Sequence, residues 1–72
     1  MASDICLLLG KRIRTLRKEK GWRQIDLAQH SGVHEVHISD LERGTREAGL
    51  NTILSLAHAL DIKLEKLFAG LD

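Results

Sequence analysis

Apolar residues recur along the first twenty positions of the chain at the spacing of an amphipathic α-helix. The stripe consists of Ile5, Leu9, Ile13 and Leu16, at intervals of four, four and three residues. Such intervals place side chains on one face of a helix with about 3.6 residues per turn. Ser3 is a suitable N-cap and Gly21 a suitable stop, so the pattern predicts a first helix over about residues 4–20.

Two shorter apolar segments follow, and a glycine ends each of them. Residues 24–30 carry Ile25, Leu27 and Ala28 before Gly32, and residues 35–43 carry Val36, Ile38 and Leu41 before Gly44. Two helices of about two turns each, joined by a tight turn that contains glycine, form a helix-turn-helix pattern. The spacing predicts that Ile38 and Leu41 face the core together with Ala28 and Val33.

Helical spacing resumes after a polar loop at residues 44–49. The fourth predicted helix carries Leu50, Ile53, Leu54, Ala57 and Leu60, and a short fifth helix carries Leu64, Leu67, Phe68 and Leu71. No segment alternates apolar and polar residues over the length of a strand. The sequence therefore predicts an all-α fold, a compact five-helix bundle, in one domain over residues 1–72.

Composition narrows the function classes. The 72 residues carry a net charge of only +1, but residues 1–46 hold nine Lys and Arg against six Asp and Glu, whereas residues 47–72 hold two against four. The only cysteine, Cys6, excludes an internal disulfide and is expected to be a small apolar packing residue. We find no apolar run of membrane-spanning length and no signal peptide, so a cytoplasmic protein is expected.

Catalytic, metal and cofactor sites are not indicated. No nucleophile, base and orienting group can be assembled from these residues, so an enzyme is not expected. His30, His34 and His37 lie close in sequence around Glu35, but no cysteine accompanies them and the turn at residues 31–32 directs His30 away from His37. We therefore predict no metal, no cofactor and no small-molecule substrate.

Two segments carry a specific family resemblance. Residues 21–33, GWRQIDLAQHSGV, and residues 38–44, ISDLERG, resemble the phage-repressor-like (XRE) helix-turn-helix family, and residues 11–17 and 50–60 match it as well. Within that family, the chain length and residues 42–46 look like the small controller proteins of restriction-modification systems. The resemblance implies an autoregulatory transcriptional regulator that binds double-stranded DNA. Stand-alone phage repressors and antitoxins, whose C-terminal surface binds a protein partner, share this fold and length and remain the alternative.

The resemblance also implies a set of DNA-binding residues. They are Arg23, Gln24, His34, Glu35, Val36, His37, Ser39, Asp40, Arg43 and Arg46. The family's usual base readers match Glu35, Val36 and His37, whereas Gln24, Ser39, Arg43 and Arg46 match positions near phosphate or a neighbouring base edge. Arg23 and a protonated His34 are expected to contact phosphate. The other basic residues between Lys11 and Arg23 are expected mostly to form a solvated face, because the family's first helix largely faces away from DNA.

Glu35 departs from the family pattern, in which an arginine, glutamine, serine or threonine stands at this position. A carboxylate accepts a hydrogen bond from cytosine N4, and Val36 can pack on a thymine methyl group, so these residues suggest cytosine and thymine in the half-site. The alternative is that Glu35 serves only as a favourable charge at a helix N-terminus. Glu35 and Asp40 both face the groove in this interpretation, and both would repel phosphate and weaken non-specific binding.

Other matched positions imply structural roles. Arg17 and Glu42 resemble an ion pair that joins the first helix to the recognition helix, and Trp22 is expected to fill the corner between the first two helices, with its indole N–H near phosphate. Six C-terminal residues are candidates for a twofold dimer interface: Leu50, Leu54, Leu64, Leu67, Phe68 and Leu71. Leu67 and Leu71 lie near the chain end, which weakens a purely monomer-core role for them. A homodimer would bind a palindromic operator with half-sites about 34 Å apart.

Overall fold

The computed structural model describes residues 4–72, so the suggested N-cap Ser3 lies outside the described residues. Five helices follow one another: α1 at Asp4–Glu19, α2 at Gln24–Ser31, α3 at Glu35–Arg43, α4 at Leu50–Ala59 and α5 at Leu64–Leu67. No strand occurs in this part of the chain, and the all-α prediction is confirmed. None of the helices within residues 4–72 is both long and apolar enough to cross a membrane.

The helix ends agree with the sequence pattern to within about one residue, except at α5. This helix is a single turn, and Leu71 reaches the core from beyond it, because the chain turns at Gly70 with a positive φ of 77°. The glycines after α2 and α3 also adopt the left-handed conformation, which is what ends these helices.

Each of the five helices contributes one large, fully buried side chain to a common core. These side chains are Ile13, Leu27, Ile38, Leu56 and Leu67, each less than 2 % exposed. Leu41 is buried as predicted, Val33 is buried beside it, and Ala28 packs against the cluster. Because every helix has one such side chain, the short α2 and α3 are held by tertiary packing rather than by their own length.

The first helix lies against the end of α3 with backbone close to backbone. A Cβ atom at Gly10 would collide with the carbonyl oxygen of Leu41 and would lie 2.8 Å from that of Glu42. A Cβ atom at Gly44, which also has a φ of 73°, would lie 2.8 Å from the Cα atom of Leu7. Only glycine fits at these two positions, and the close approach fixes α3 relative to α1.

Arg12 joins α1 to the C-terminal end of the chain. Its Nη1 donates to the carbonyl oxygens of Lys66 at 3.0 Å and Leu67 at 3.2 Å, and its Nη2 donates to that of Ala69 at 2.7 Å. These carbonyl groups lie at the end of α5, where helical hydrogen bonding leaves acceptors without a partner in the helix. Arg12 is therefore a capping group for α5, and the expectation of a solvated basic face is wrong for this residue.

Candidate nucleic-acid interface

The outer face of α3 presents a polar surface beside an exposed valine. We define this outer face as Glu35, Val36, Ser39, Asp40 and Arg43. Glu35 and Arg43 are exposed, Ser39 and Asp40 are half-buried, and the side chain of Val36 is 60 % exposed although it is apolar. The face has the composition that base reading requires, because it combines hydrogen-bonding groups with an apolar surface that could meet a thymine methyl group.

His37 is less accessible than a base-reading residue would be. The residue is half-buried, and its Nε2 atom is covered and has no hydrogen-bond partner among the described residues. A separation of four residues turns a helix by about 400°, so His37 lies only about 40° from Leu41, which faces the core. The expectation that His37 reads a base does not fit its Nε2 atom, which points away from the open surface.

The α3 helix begins at His34, which acts as its N-cap. The imidazole Nδ1 accepts a hydrogen bond from the backbone N–H of Val36 at 3.1 Å. The sequence suggested only an exposed turn residue that contacts phosphate when protonated. Because Nδ1 accepts a hydrogen bond only while it is unprotonated, protonation would remove the cap. His34 is exposed, as expected of a turn residue, and it also caps α3.

The hydrogen bond that caps the N-terminus of α2 is accepted by the side chain of Asp26 and not by that of the N-cap residue, Arg23. The Arg23 backbone N–H donates to the Asp26 carboxylate at 2.7 Å, and the Arg23 Nε and Nη2 atoms each donate to it at 3.2 Å. A guanidinium has no acceptor, so only this half of a capping box is available. The side-chain bonds from Arg23 lower the pKa of Asp26 and raise that of Arg23.

A buried ion pair joins α1 to the last turn of α3. Arg17 Nε and Nη2 donate to the two carboxylate oxygens of Glu42 at 2.7 and 2.9 Å, and the side chains are only 9 % and 4 % exposed. Arg17 Nη1 donates to the carbonyl oxygen of Trp22 at 2.8 Å. The hydrogen bonds that Arg17 donates to Glu42 raise the pKa of Arg17 against the opposing effect of burial. The pair implied by the family resemblance is present with bidentate geometry.

Gln24, the first residue of α2, is part of the same network. Its Nε2 donates to Glu42 Oε1 at 3.1 Å, and the residue is half-buried. The amide nitrogen that was expected to face phosphate therefore points inward. A phosphate contact from Gln24 would need either the backbone N–H at the start of α2 or a rearrangement of this side chain.

The two arginines at the C-terminal end of α3 surround Asp40. Arg43 Nη2 forms an ion pair with Asp40 Oδ1, and Arg43 Nη1 donates to Ser39 Oγ at 2.9 Å. Arg46 Nη1 lies 3.9 Å from Asp40 Oδ2. The arginine side chains remain 60 % and 56 % exposed. Both are accessible to a phosphate, but neither is free of a carboxylate.

Trp22 packs at the corner between α1 and α2, half-buried against the core. Its ring stacks on His30 with 4.2 Å between centroids and an interplanar angle of 4°, and Lys20 Nζ lies 5.2 Å from the ring centroid. Offset stacking and a nearby cation both favour a fixed indole. Within residues 4–72, no group of three or more His, Cys, Asp or Glu side chains is arranged to hold a metal ion.

The C-terminal apolar residues divide into a buried and an exposed set. Leu50, Leu54 and Leu64 are 86 %, 39 % and 42 % exposed, and the last two border an open groove with Ala57 and Ile62. Phe68 is half-buried. Leu67 is fully buried and Leu71 is 8 % exposed, so the expectation that they lie outside the monomer core is wrong. The turn at Gly70 returns the chain end to the core.

Two short helices joined by a glycine turn, with the second presenting a polar outer face, define a helix-turn-helix protein. The helix-turn-helix family model, HTH_3, matches residues 13–67, and the chain belongs to this family. The match spans the second part of α1 from Ile13, all of α2, the turn and α3, and all of α4 and α5.

The relatives include controller proteins of restriction-modification systems. Control protein C.BamHI of Bacillus amyloliquefaciens is 38 % identical over 64 residues, which cover 88 % of this chain and 79 % of that protein. The crystal structure of the controller C.AhdI from Aeromonas hydrophila is 43 % identical with a TM-score of 0.85, and covers 88 % of this chain and 96 % of its own. The C.Esp1396I tetramer in complex with its natural 35 base-pair operator is 28 % identical with a TM-score of 0.87, and covers 96 % and 91 %.

Other relatives are longer than this chain. The chain spans 29 % of the length of an HTH-type transcriptional regulator of Sinorhizobium fredii and 50 % of one from Deinococcus deserti. The helix-turn-helix domain therefore occurs both in small proteins of about this size and as one part of larger regulators.

Proposed function

We propose that the chain is a sequence-specific transcriptional regulator that binds a palindromic DNA operator as a homodimer and controls a restriction-modification operon. The observation that carries the proposal is the exposed outer face of α3 on a fold that matches C.AhdI over 96 % of that chain. The proposed role is binding in the cytoplasm, without catalysis.

The proposed contacts follow from the position of each side chain on α3. A recognition helix enters the major groove with its N-terminal residues toward the base edges, where Glu35 and Val36 are exposed. Arg43 and Arg46 lie at the other end, where a phosphate backbone would pass. Glu35 would accept a hydrogen bond from cytosine N4, and Val36 would pack on the thymine methyl group.

The proposed dimer interface is the exposed apolar surface of α4 and α5. Leu50, Leu54 and Leu64 would be covered by the same residues of a second copy, since a twofold interface uses one surface twice. Burial of this surface would also add apolar area to a small domain, which hides a lower fraction of its surface than a large one. The twofold axis would present two α3 helices to successive major grooves.

The first test is a gel-shift titration of the purified protein on the DNA upstream of its own gene, with excess competitor DNA. Sedimentation of the same sample determines the oligomeric state. A stepwise shift by a dimer that resists competitor is the expected result. A monomer with no specific shift would contradict the proposal and would favour an antitoxin or phage-type repressor whose exposed leucines bind a different protein.

A further inference from the structure

One carboxylate, that of Asp40, lies beside both arginines that are expected to contact phosphate near the C-terminal end of α3. One oxygen of Asp40 pairs with Arg43 Nη2, and the other lies 3.9 Å from Arg46 Nη1. Arg43 Nη1 is also engaged, because it donates to Ser39 Oγ at 2.9 Å. Both terminal nitrogens of Arg43 are therefore directed back along α3 toward its N-terminus.

The Asp40 carboxylate is less exposed than the two arginines around it. The Asp40 side chain is 25 % exposed, whereas those of Arg43 and Arg46 are 60 % and 56 % exposed. A bidentate contact with phosphate needs two N–H donors of one guanidinium. In Arg43, one N–H of each terminal nitrogen is directed to Asp40 or Ser39 on the same helix, so a phosphate that approaches these donors competes with the Asp40 carboxylate.

The carboxylate of Asp40 differs in this respect from the other acidic side chains near the expected DNA surface. Asp26 pairs with Arg23 but also accepts from the backbone N–H that begins α2. Glu42 is buried and holds α1 against α3. Among residues 5–72, both partners of the Asp40 carboxylate are arginines of the expected DNA surface. Its contacts thus point to control of those arginines rather than to a helix cap or a core pair.

We propose that Asp40 competes with DNA phosphate for Arg43 and Arg46, and so limits the electrostatic affinity of the chain for duplex DNA. The inference rests on the proposed DNA-binding function and assigns to Asp40 the role of a positioning residue. Each arginine exchanges one carboxylate for one phosphate when DNA binds. An exchange of partners yields less free energy than a new contact, and the carboxylate left behind faces a polyanion.

The test compares the wild-type chain with Asp40→Asn, which keeps the shape of the side chain and removes its charge. Glu65→Gln makes the same change in charge on α5 and is the matched control. The probes are the duplex upstream of the chain's own gene and an unrelated duplex of equal length, each titrated over a series of salt concentrations. Thermal unfolding checks that each variant folds, and Asp40→Ala repeats the test in a residue with high helix propensity.

An exposed ion pair changes an equilibrium by at most about fivefold. Release of two arginines should therefore tighten binding by roughly two- to twentyfold at low salt, on both duplexes. The slope of log affinity against log salt should steepen by no more than about 0.9, because the substitution removes one negative charge from the surface that faces DNA. Glu65→Gln should leave the slope unchanged. If Asp40→Asn binds equally or more weakly than wild type, the inference is wrong, because Asp40 then does not restrain the arginines.

A double-mutant cycle separates competition from simple repulsion. In a chain that carries Arg43→Ala and Arg46→Ala, no arginine remains to be released, so Asp40→Asn should produce a smaller gain on the unrelated duplex at low salt than it does in the wild-type background. A gain as large as in the wild-type background would overturn the inference, since Asp40 would then act as an isolated negative charge. A wild-type chain that binds no duplex would refute the proposed function itself, whereas binding without the Asp40 effect refutes only this inference.

Discussion

Replacing Glu42 with alanine tests how the recognition helix is held in place. The substitution removes both acceptors of the Arg17 guanidinium, at 2.7 and 2.9 Å, and leaves it the Trp22 carbonyl alone. It also removes the acceptor of Gln24 Nε2 at 3.1 Å. Because the Arg17 side chain is only 9 % exposed, water cannot readily replace these partners. One unpaired buried charge of this kind costs about 3–5 kcal/mol.

That loss is large for a chain of this size. A typical stability of about 0.05–0.15 kcal/mol per residue gives roughly 4–11 kcal/mol for 72 residues, so Glu42→Ala should remove about a quarter or more of the free energy of unfolding. Urea-induced unfolding followed by circular dichroism measures it. All variants are compared at one protein concentration, because dimer formation would make the apparent stability depend on concentration.

Two controls make the result specific to the buried pair. Arg23→Ala breaks an exposed ion pair and should change stability by no more than about 1 kcal/mol. The double variant Arg17→Met with Glu42→Leu removes both charges and should be much more stable than Glu42→Ala, since no charge remains buried without a partner. A Glu42→Ala variant within 1 kcal/mol of wild type, or a double variant no better than the single one, would refute the reasoning.

Three further predictions concern packing, pH and assembly. Gly10→Ala should destabilise the folded chain by at least roughly 1–3 kcal/mol, as overpacking of a core does, because the new Cβ atom would collide with backbone atoms of α3. Gly49→Ala, which has open space around the new Cβ atom, should have little effect, and thermal unfolding measures both. The lowered pKa of Asp26 means that its carboxylate stabilises the folded chain above about pH 4, and that this stabilisation is lost as pH falls through the pKa of the folded state. The urea midpoint of wild type should therefore drop more than that of Asp26→Asn between pH 6 and pH 3, and equal drops would contradict this. Leu50→Asp should produce a monomer in sedimentation, and Val36→Asp, also at an exposed apolar residue, should not; a dimer in both would exclude Leu50 from the interface.

The sequence predicted the helices well where local chemistry determines them. The glycines after α2 and α3 adopt the left-handed conformation that their positions suggested, and α3 has the predicted bounds. The sequence analysis did not predict the structural roles of Gly10, Arg12 and Asp26. The roles of Gly10 and Arg12 depend on residues about 30 and 55 positions away, which no local pattern reveals. Asp26 did have a local signal, an acidic residue three positions after the N-cap.

The errors at the C-terminus have a tertiary cause. Helical spacing indicated that Leu64, Leu67 and Leu71 lie on an apolar face that needs a packing partner. It could not show whether that partner is the same chain or a second copy. The structure buries Leu67 and Leu71 within the same chain, because Arg12 holds the end of α5 against α1 and Gly70 reverses the chain. Only Leu64 of these three remains exposed. The proposed dimer surface is accordingly smaller than the six residues suggested.

The close backbone contact and the buried ion pair that join α3 to α1 lie in the second half of α3. Gly10 packs against Leu41 and Glu42, and Glu42 pairs with Arg17, so α1 determines the position of the helix through residues 41–44. The first turn begins at the His34 cap, buries Ile38 in the core and leaves Glu35 and Val36 exposed. Substitutions at these two exposed positions should therefore change the preferred DNA sequence without loss of stability. The residues that are proposed to read bases therefore lie at the opposite end of this nine-residue helix from its ion pair with α1.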